Sequence, residues 1–466
     1  MWFKKASRDS APEDGRAAPE RLGVINTGSG ELLLVDFGEL EFWSGDRTPV
    51  VEDGLLDPEL TDRINAAVDL EIVGPDAVRV GDLMDLAAVS GTYVFDIPRD
   101  APELQERLAA VCGQHGLEAS LRVIGRMPHR ERMRRGLDRS PTGIEVPFNG
   151  VWAVGVRDVP RDAPLVVYGE RMDAQGPDSG RWRSVWVQCA EGEATSSRLI
   201  GYVLVDQARL MFADPDALSG WNVGDPTAGL ADLVFWGRDE EAVAGHLGAN
   251  AFEESGGQVY GWRDVPFDEA MRLGATLHEH LEARSAKVAT DFRPHDDNHR
   301  ILASMRESST ESATLEVDGR QVCGFFTTWG DGAFPVFRDE GSDSELLRIR
   351  VELGAAEIIT PTRRMEELWF GSLSKLAIAS PAVARGAPVV WLERDQPRNE
   401  QDSGWCLYAG TETQDELDEP GAASLIPLRD IISSQPDLEA ILSTPAPAAF
   451  ERTNDGGWRP NPPERD

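Results

Sequence analysis

The sequence predicts an α+β protein of three domains, and three observations carry that expectation. At 466 residues the chain exceeds what one hydrophobic core ordinarily serves. Strand-like and helix-like segments intermix without the regular alternation that a parallel sheet with crossover helices imposes. A faint internal echo divides most of the chain into two tandem copies of one module, followed by a third, smaller unit.

Residues 1–21 are polar, rich in Ala, Pro, Asp and Arg and without periodicity, which reads as a loose tail. From Pro102 to Gly116, Leu104, Leu108 and Val111 fall on one helical face and a glycine marks the end. Ala313 to Thr328 reads as a hairpin around Asp318-Gly319, because that pair supplies the positive φ angles of a tight turn. Leu347, Ile349, Val351 and Leu353 alternate with Arg348, Arg350 and Glu352, as in a half-buried strand. The echo pairs Gly30-Glu31-Leu32-Leu33-Leu34-Val35-Asp36 with Ala208-Arg209-Leu210-Met211-Phe212-Ala213-Asp214. Trp43 and Trp221 follow the two aspartates at equal distance, and each is soon followed by Gly-Asp. Asp162-Ala163-Pro164-Leu165-Val166-Val167-Tyr168 likewise resembles Asp331-Gly332-Ala333-Phe334-Pro335-Val336-Phe337. The expected boundaries are 22–192 for a degenerate first copy, 195–355 for the second and 374–460 for the third unit.

Apolar residues make up 41% of the chain, enough for packed cores, yet no run of about 20 occurs, so no membrane span is expected. The N-terminus turns polar at once, without the apolar stretch of a signal peptide, and a cytoplasmic location is expected. Cys112, Cys189, Cys323 and Cys406 are too scattered for a disulfide framework or a zinc cluster and read as small hydrophobes. A formal net charge of −35 excludes nucleic acid as a natural partner, since phosphate is repelled. The acidity serves solubility or docking on a basic protein.

The third unit carries a resemblance. Its ordered string is Ala387-Pro388-Val389-Val390-Trp391-Leu392-Glu393-Arg394, then Asp395-Gln396-Pro397-Arg398-Asn399-Glu400-Gln401-Asp402-Ser403-Gly404-Trp405, then Tyr408-Ala409-Gly410-Thr411-Glu412-Thr413, the acidic Asp415-Glu416-Leu417-Asp418-Glu419-Pro420, and Ala448-Ala449-Phe450-Glu451-Arg452. This resembles the bacterial immunity protein 33 family of polymorphic toxin systems, with Cys406-Leu407 departing from an expected arginine and aromatic residue. The middle copy resembles an uncharacterised bacterial family through Val205-Asp206, Asp214-Pro215 and Trp329-Gly330-Asp331-Gly332-Ala333-Phe334-Pro335-Val336. The first resemblance implies a non-catalytic protein that neutralises a toxin by stoichiometric binding, in a chain arranged like a polyimmunity fusion.

On that reading, the partner-binding face is Trp405 with Glu412, Asp415, Glu416, Asp418 and Glu419; the alternative for the acidic run is a solvated loop. A second class of function, an enzyme or small-ligand binder, would use Asp214 with the loop of Trp329 and Asp331, where the alternative is a tight Gly-Asp-Gly turn. His278 and His280 are two apart on a helix and face different ways. His295 and His299 have chelate spacing if Pro294 opens a helix, but no supporting ligand motif accompanies them. No G-x-S-x-G elbow, P-loop or dinucleotide fingerprint occurs, so neither cofactor nor metal is expected.

Overall fold

A computed structural model describes residues 18–50, 58–84, 93–140, 142–148, 151–172, 178–254, 257–369, 371–399, 401–417, 423–453 and 455–461. The chain is α+β, as expected, and it forms two compact units, one up to Ile358 and one from Ile359.

The local signals become the elements they announced. Pro102–His115 is a helix with Leu104 and Leu108 buried, closed by Gly116 at φ 64°. Ser312–Val317 and Arg320–Phe326 pair as a hairpin through Asp318 and Gly319, whose φ angles are 47° and 72°. Leu346–Glu352 is a strand that buries Leu347, Ile349 and Val351.

In the first unit, one order of elements runs twice, over Glu20–Gln188 and Ser196–Glu352. Each half has two strands, a 3-10 turn, a strand, a short helix, a strand, a long helix, a strand, a helix and four strands. The first half adds the helix Pro58–Asn65, and the second adds the strand Asn250–Glu254.

The halves are not packed as separate bodies, because they share two sheets. The first sheet runs Glu20–Ile25, Leu165–Arg171, Trp182–Gln188, Leu346–Glu352, Gly332–Glu340, Ser196–Val205. The second runs Ser312–Val317, Arg320–Phe326, Arg209–Ala213, Glu31–Val35, Val151–Arg157, Ile144–Phe148. At the centre of each, a strand of one half pairs antiparallel with its counterpart, Met211 opposite Val35 and Arg350 opposite Trp186. Where the sequence suggested two separate modules, backbone pairing across the halves joins them into one unit. Two smaller sheets stay within their own halves, Tyr93–Pro98, Ala67–Val73, Ser120–Gly125 in the first, and Asn250–Glu254, Gly257–Pro266, Leu230–Trp236, Ala289–Pro294 in the second.

The second unit is built on a six-stranded sheet in the order Ser424–Pro427, Leu376–Ala379, Asp402–Tyr408, Trp391–Arg394, Ala448–Arg452, Trp458–Pro460. Its core gathers Leu373, Val389, Leu392, Trp405, Leu407, Leu438 and Leu442. The helix Ala356–Trp369 reaches into this unit, with Leu368 against the core and Arg364 paired with Glu439 at 2.9 Å.

Candidate functional site

Trp405 stands in the core of the second unit and not on the partner-binding face expected for it. Trp405 is fully buried, its Nε1–H donates to the Leu442 carbonyl at 3.1 Å, and the Arg394 guanidinium lies 5.5 Å over the ring. An aromatic side chain on the inward face of a central strand is core and not a surface anchor. Gly404 beside it has φ 78°, and a Cβ there would lie 2.2 Å from the Asp395 carbonyl, so the strand leaves no room for another residue.

The acidic segment is partly internal in its bonding. Glu412 is half-buried and accepts from the N–H groups of Ala409 and Thr411 at 2.9 and 3.0 Å, and from the Ser380 hydroxyl. Burial works to raise its carboxyl, but these bonds outweigh it and hold the group below the usual range. Glu416 is exposed and accepts from the N–H and hydroxyl of Thr413, which also lower its carboxyl. Asp415 lies in the short helix Gln414–Leu417, and Asp418 and Glu419 fall outside the described residues. Ser380 follows Ala379, which is paired with Ser424 at the start of the edge strand, and Leu425 on that strand is 67% exposed. Acidic groups and an exposed apolar side chain therefore share one end of the sheet.

Asp214 and Asp331 do not form one ligand loop. Asp214 is buried and accepts from Gly28 N–H at 2.6 Å, Ser29 N–H and hydroxyl at 3.0 Å each, and Asp216 N–H at 2.9 Å. It thereby fastens the turn between the first two strands of the other half. Asp36 does the reverse, accepting from Asp206 and Gln207 N–H at 2.8 and 2.9 Å. Asp331 is exposed and joins Asp36 at that second turn, accepting from Ala208 N–H at 2.9 Å. Asp36 and Asp214 follow opposite ends of the paired strands Glu31–Val35 and Arg209–Ala213, about 14 Å apart at an antiparallel rise of about 3.4 Å per residue. Trp329 is buried and donates from Nε1 to the Trp182 carbonyl at 2.7 Å. The repeated spacing of these residues in the sequence thus reflects caps and packing.

A constellation that the sequence did not assemble lies in the second half. Asp232, from the strand Leu230–Trp236, meets His295 and His299, and one ligand atom from each lies within 4.8 Å of the others. His295 Nε2 is 2.9 Å from Asp232 Oδ1, and His299 Nε2 is 3.8 Å from Asp232 Oδ2. The two imidazoles stack with centroids 4.0 Å apart and planes at 6°. Burial works to raise the Asp232 carboxyl, yet the nearby His299 imidazole and the bonds from the Asp264 N–H and His295 hold it well below the usual carboxylate range. Pro294 does not open the helix: it ends the strand Ala289–Pro294, and the helix begins at Asp297 with Asp296 as its N-cap. The third group beside the two imidazoles is Asp232, 63 residues from His295. The other histidines behave as their spacing implied: His278 pairs with Glu282 at 3.2 Å, and His280 stacks on His246 at 4.5 Å.

All four cysteines are free thiols, and burial pushes those of Cys189 and Cys323 up to about 12, far from nucleophilic thiolates. Among the described residues, no helix is long and apolar enough to cross a membrane. No curated protein and no solved structure matches the chain. Residues 377–461, within the second compact unit, match the family model of the Immunity protein Imm33 domain.

Proposed function

We propose that the chain is a non-catalytic immunity protein of the cytoplasm, neutralising a bacterial toxin by stoichiometric binding. The Imm33 match carries this reading: it covers residues 377–461, most of a unit with its own sheet and core. Binding without chemistry also suits a site region whose carboxylates are engaged in fastening loops.

The docking face is the sheet end bearing Glu412, Asp415 and Glu416, continued by the open edge strand Ser424–Pro427 with Leu425 exposed. Asp418 and Glu419 extend its charge in sequence. An unpaired strand edge offers backbone groups to a partner. The net charge of −35 selects a basic partner over an acidic one. Residues 20–188 and 196–352 are diverged copies of one module, a reading supported by their repeated element order and by the reciprocal caps of Asp36 and Asp214.

Co-expression with the product of an adjacent toxin-like gene tests this. A one-to-one complex is expected on size-exclusion chromatography. Its association should slow as salt rises past about 0.15 M, where screening acts over about 8 Å. The double variant Asp415→Asn/Glu416→Gln should slow association while leaving dissociation nearly unchanged. Catalytic turnover of a small substrate with no protein complex would overturn the reading.

A further inference from the structure

We propose that Asp232, His295 and His299 form a binding site for a divalent transition-metal ion of the zinc type.

The two halves treat one position differently. In each, an aspartate on the central strand of the small sheet, Asp69 or Asp232, accepts the N–H of an aspartate at φ 54°, Asp96 or Asp264, at 3.0 and 2.9 Å. In the first half, Arg132 fills the space between them, its side chain 1% exposed, with contacts of 3.0 Å to Asp69 and 2.7 Å to Asp96. The strand register locates the counterpart. Asp69 pairs with Gly125 and Asp232 with Arg293, so Arg132 and Arg300 stand seven residues beyond corresponding partners. Arg300 has turned away to Asp297 at 2.8 Å and is 45% exposed. At the positions of Met127 and Glu131, two and six residues beyond, the second half has His295 and His299. A buried guanidinium has thus been exchanged for two imidazoles aimed at the same carboxylate.

Burying a carboxylate is costly without a cation, and imidazole nitrogen with carboxylate oxygen is a donor set for zinc and related ions. For bonds of about 2.0–2.1 Å, a tetrahedral site separates its ligand atoms by about 3.4 Å. The distances from Asp232 Oδ1 to His295 Nε2 and from Asp232 Oδ2 to His299 Nε2, 2.9 and 3.8 Å, lie on either side of that separation. His295 is held in place through its backbone, donating to the Leu230 carbonyl at 2.9 Å and accepting from the Thr227 N–H and hydroxyl at 3.1 and 3.0 Å. Its Nδ1 faces Asp264 Oδ1 at 4.0 Å, the place of a carboxylate that orients a ligating histidine. A cleft of about 410 Å³ lined by Asp264, His299, Arg300 and Ser304 opens onto the site. Three protein ligands leave a coordination position for water or a partner's side chain on that side.

The test uses the full chain, stripped by chelator and titrated with Zn²⁺ by calorimetry and with Co²⁺ by visible absorption. One saturable equivalent is expected, with the intense visible bands of tetrahedral cobalt. His299→Ala, which removes a quarter-exposed side chain, and Asp232→Asn should each weaken binding at least tenfold, in protein still folded by circular dichroism. The stacked His246–His280 pair is the competing site, and His280→Ala should leave binding unchanged. Absence of saturable binding would make the triad a hydrogen-bonded Asp–His cluster and overturn the proposal. So would binding that His299→Ala and Asp232→Asn leave intact.

Discussion

His129 ties the stability of the first unit to pH in a way that can be calculated. The ring is fully buried, stacked on Trp43 at 5.6 Å, and its Nδ1 accepts the Ser44 N–H at 3.0 Å. The ring proton therefore sits on Nε2, which has no hydrogen-bond partner among the described residues. Burial first, and then the positive charges of Arg132 and Arg126, push the imidazole down to about 3, with Asp96 pulling the other way. An unfolded histidine titrates near 6.5, so between about 6.5 and about 3 the unfolded chain holds one proton more than the folded one. Stability contributed by this group thus rises with pH across that window and is fully present above it. Lowering the pH from 7 to 4 covers about 2.5 pH units of the window, a loss of about 3 kcal/mol. His129→Gln keeps an acceptor for Ser44 and does not titrate. Denaturant unfolding followed by circular dichroism at pH 7 and pH 4 should show the native chain losing about 3 kcal/mol more than the variant, because carboxylate titration is common to both. Equal losses in the two proteins would refute the reasoning.

Two further outcomes follow from burial. Trp405→Ala should lower the stability of the second unit by about 3–5 kcal/mol, measured by thermal unfolding, whereas the charge-removing variant Asp415→Asn/Glu416→Gln should leave its unfolding temperature nearly unchanged. Asp214→Asn, which weakens a carboxylate accepting four bonds, should cost the first unit about 3 kcal/mol, while Asp331→Asn should cost less than about 1 kcal/mol.

What could be read from the sequence was local. The helix at Pro102, the hairpin at Asp318-Gly319 and the strand at Leu346 each declare themselves through periodicity or a turn residue within a few positions. The echo around Asp36 and Asp214 was visible because both aspartates do the same work, capping the same kind of turn in the opposite half. The purpose was not visible, since the capped N–H groups lie 170 or more residues away in the chain. For the same reason, Asp232 could not be joined to His295 and His299 until the register of two strands set them side by side. Trp405 misled because tryptophan suits a core and an interface equally, and only the position of its strand in the sheet decides.

The sharing of sheets between halves has an evolutionary consequence. Each central pairing joins a strand to its own counterpart, so a chain with a single copy would recover both six-stranded sheets by forming a two-fold symmetric homodimer. In such a dimer any substitution strikes both symmetry-related places at once. A single polypeptide that holds both halves is free of that restraint. One copy can keep a permanent arginine between its aspartates while the other surrenders it for histidines. Asymmetry of this kind is closed to two identical subunits, and under the metal-site proposal it leaves one half as scaffold while the other binds.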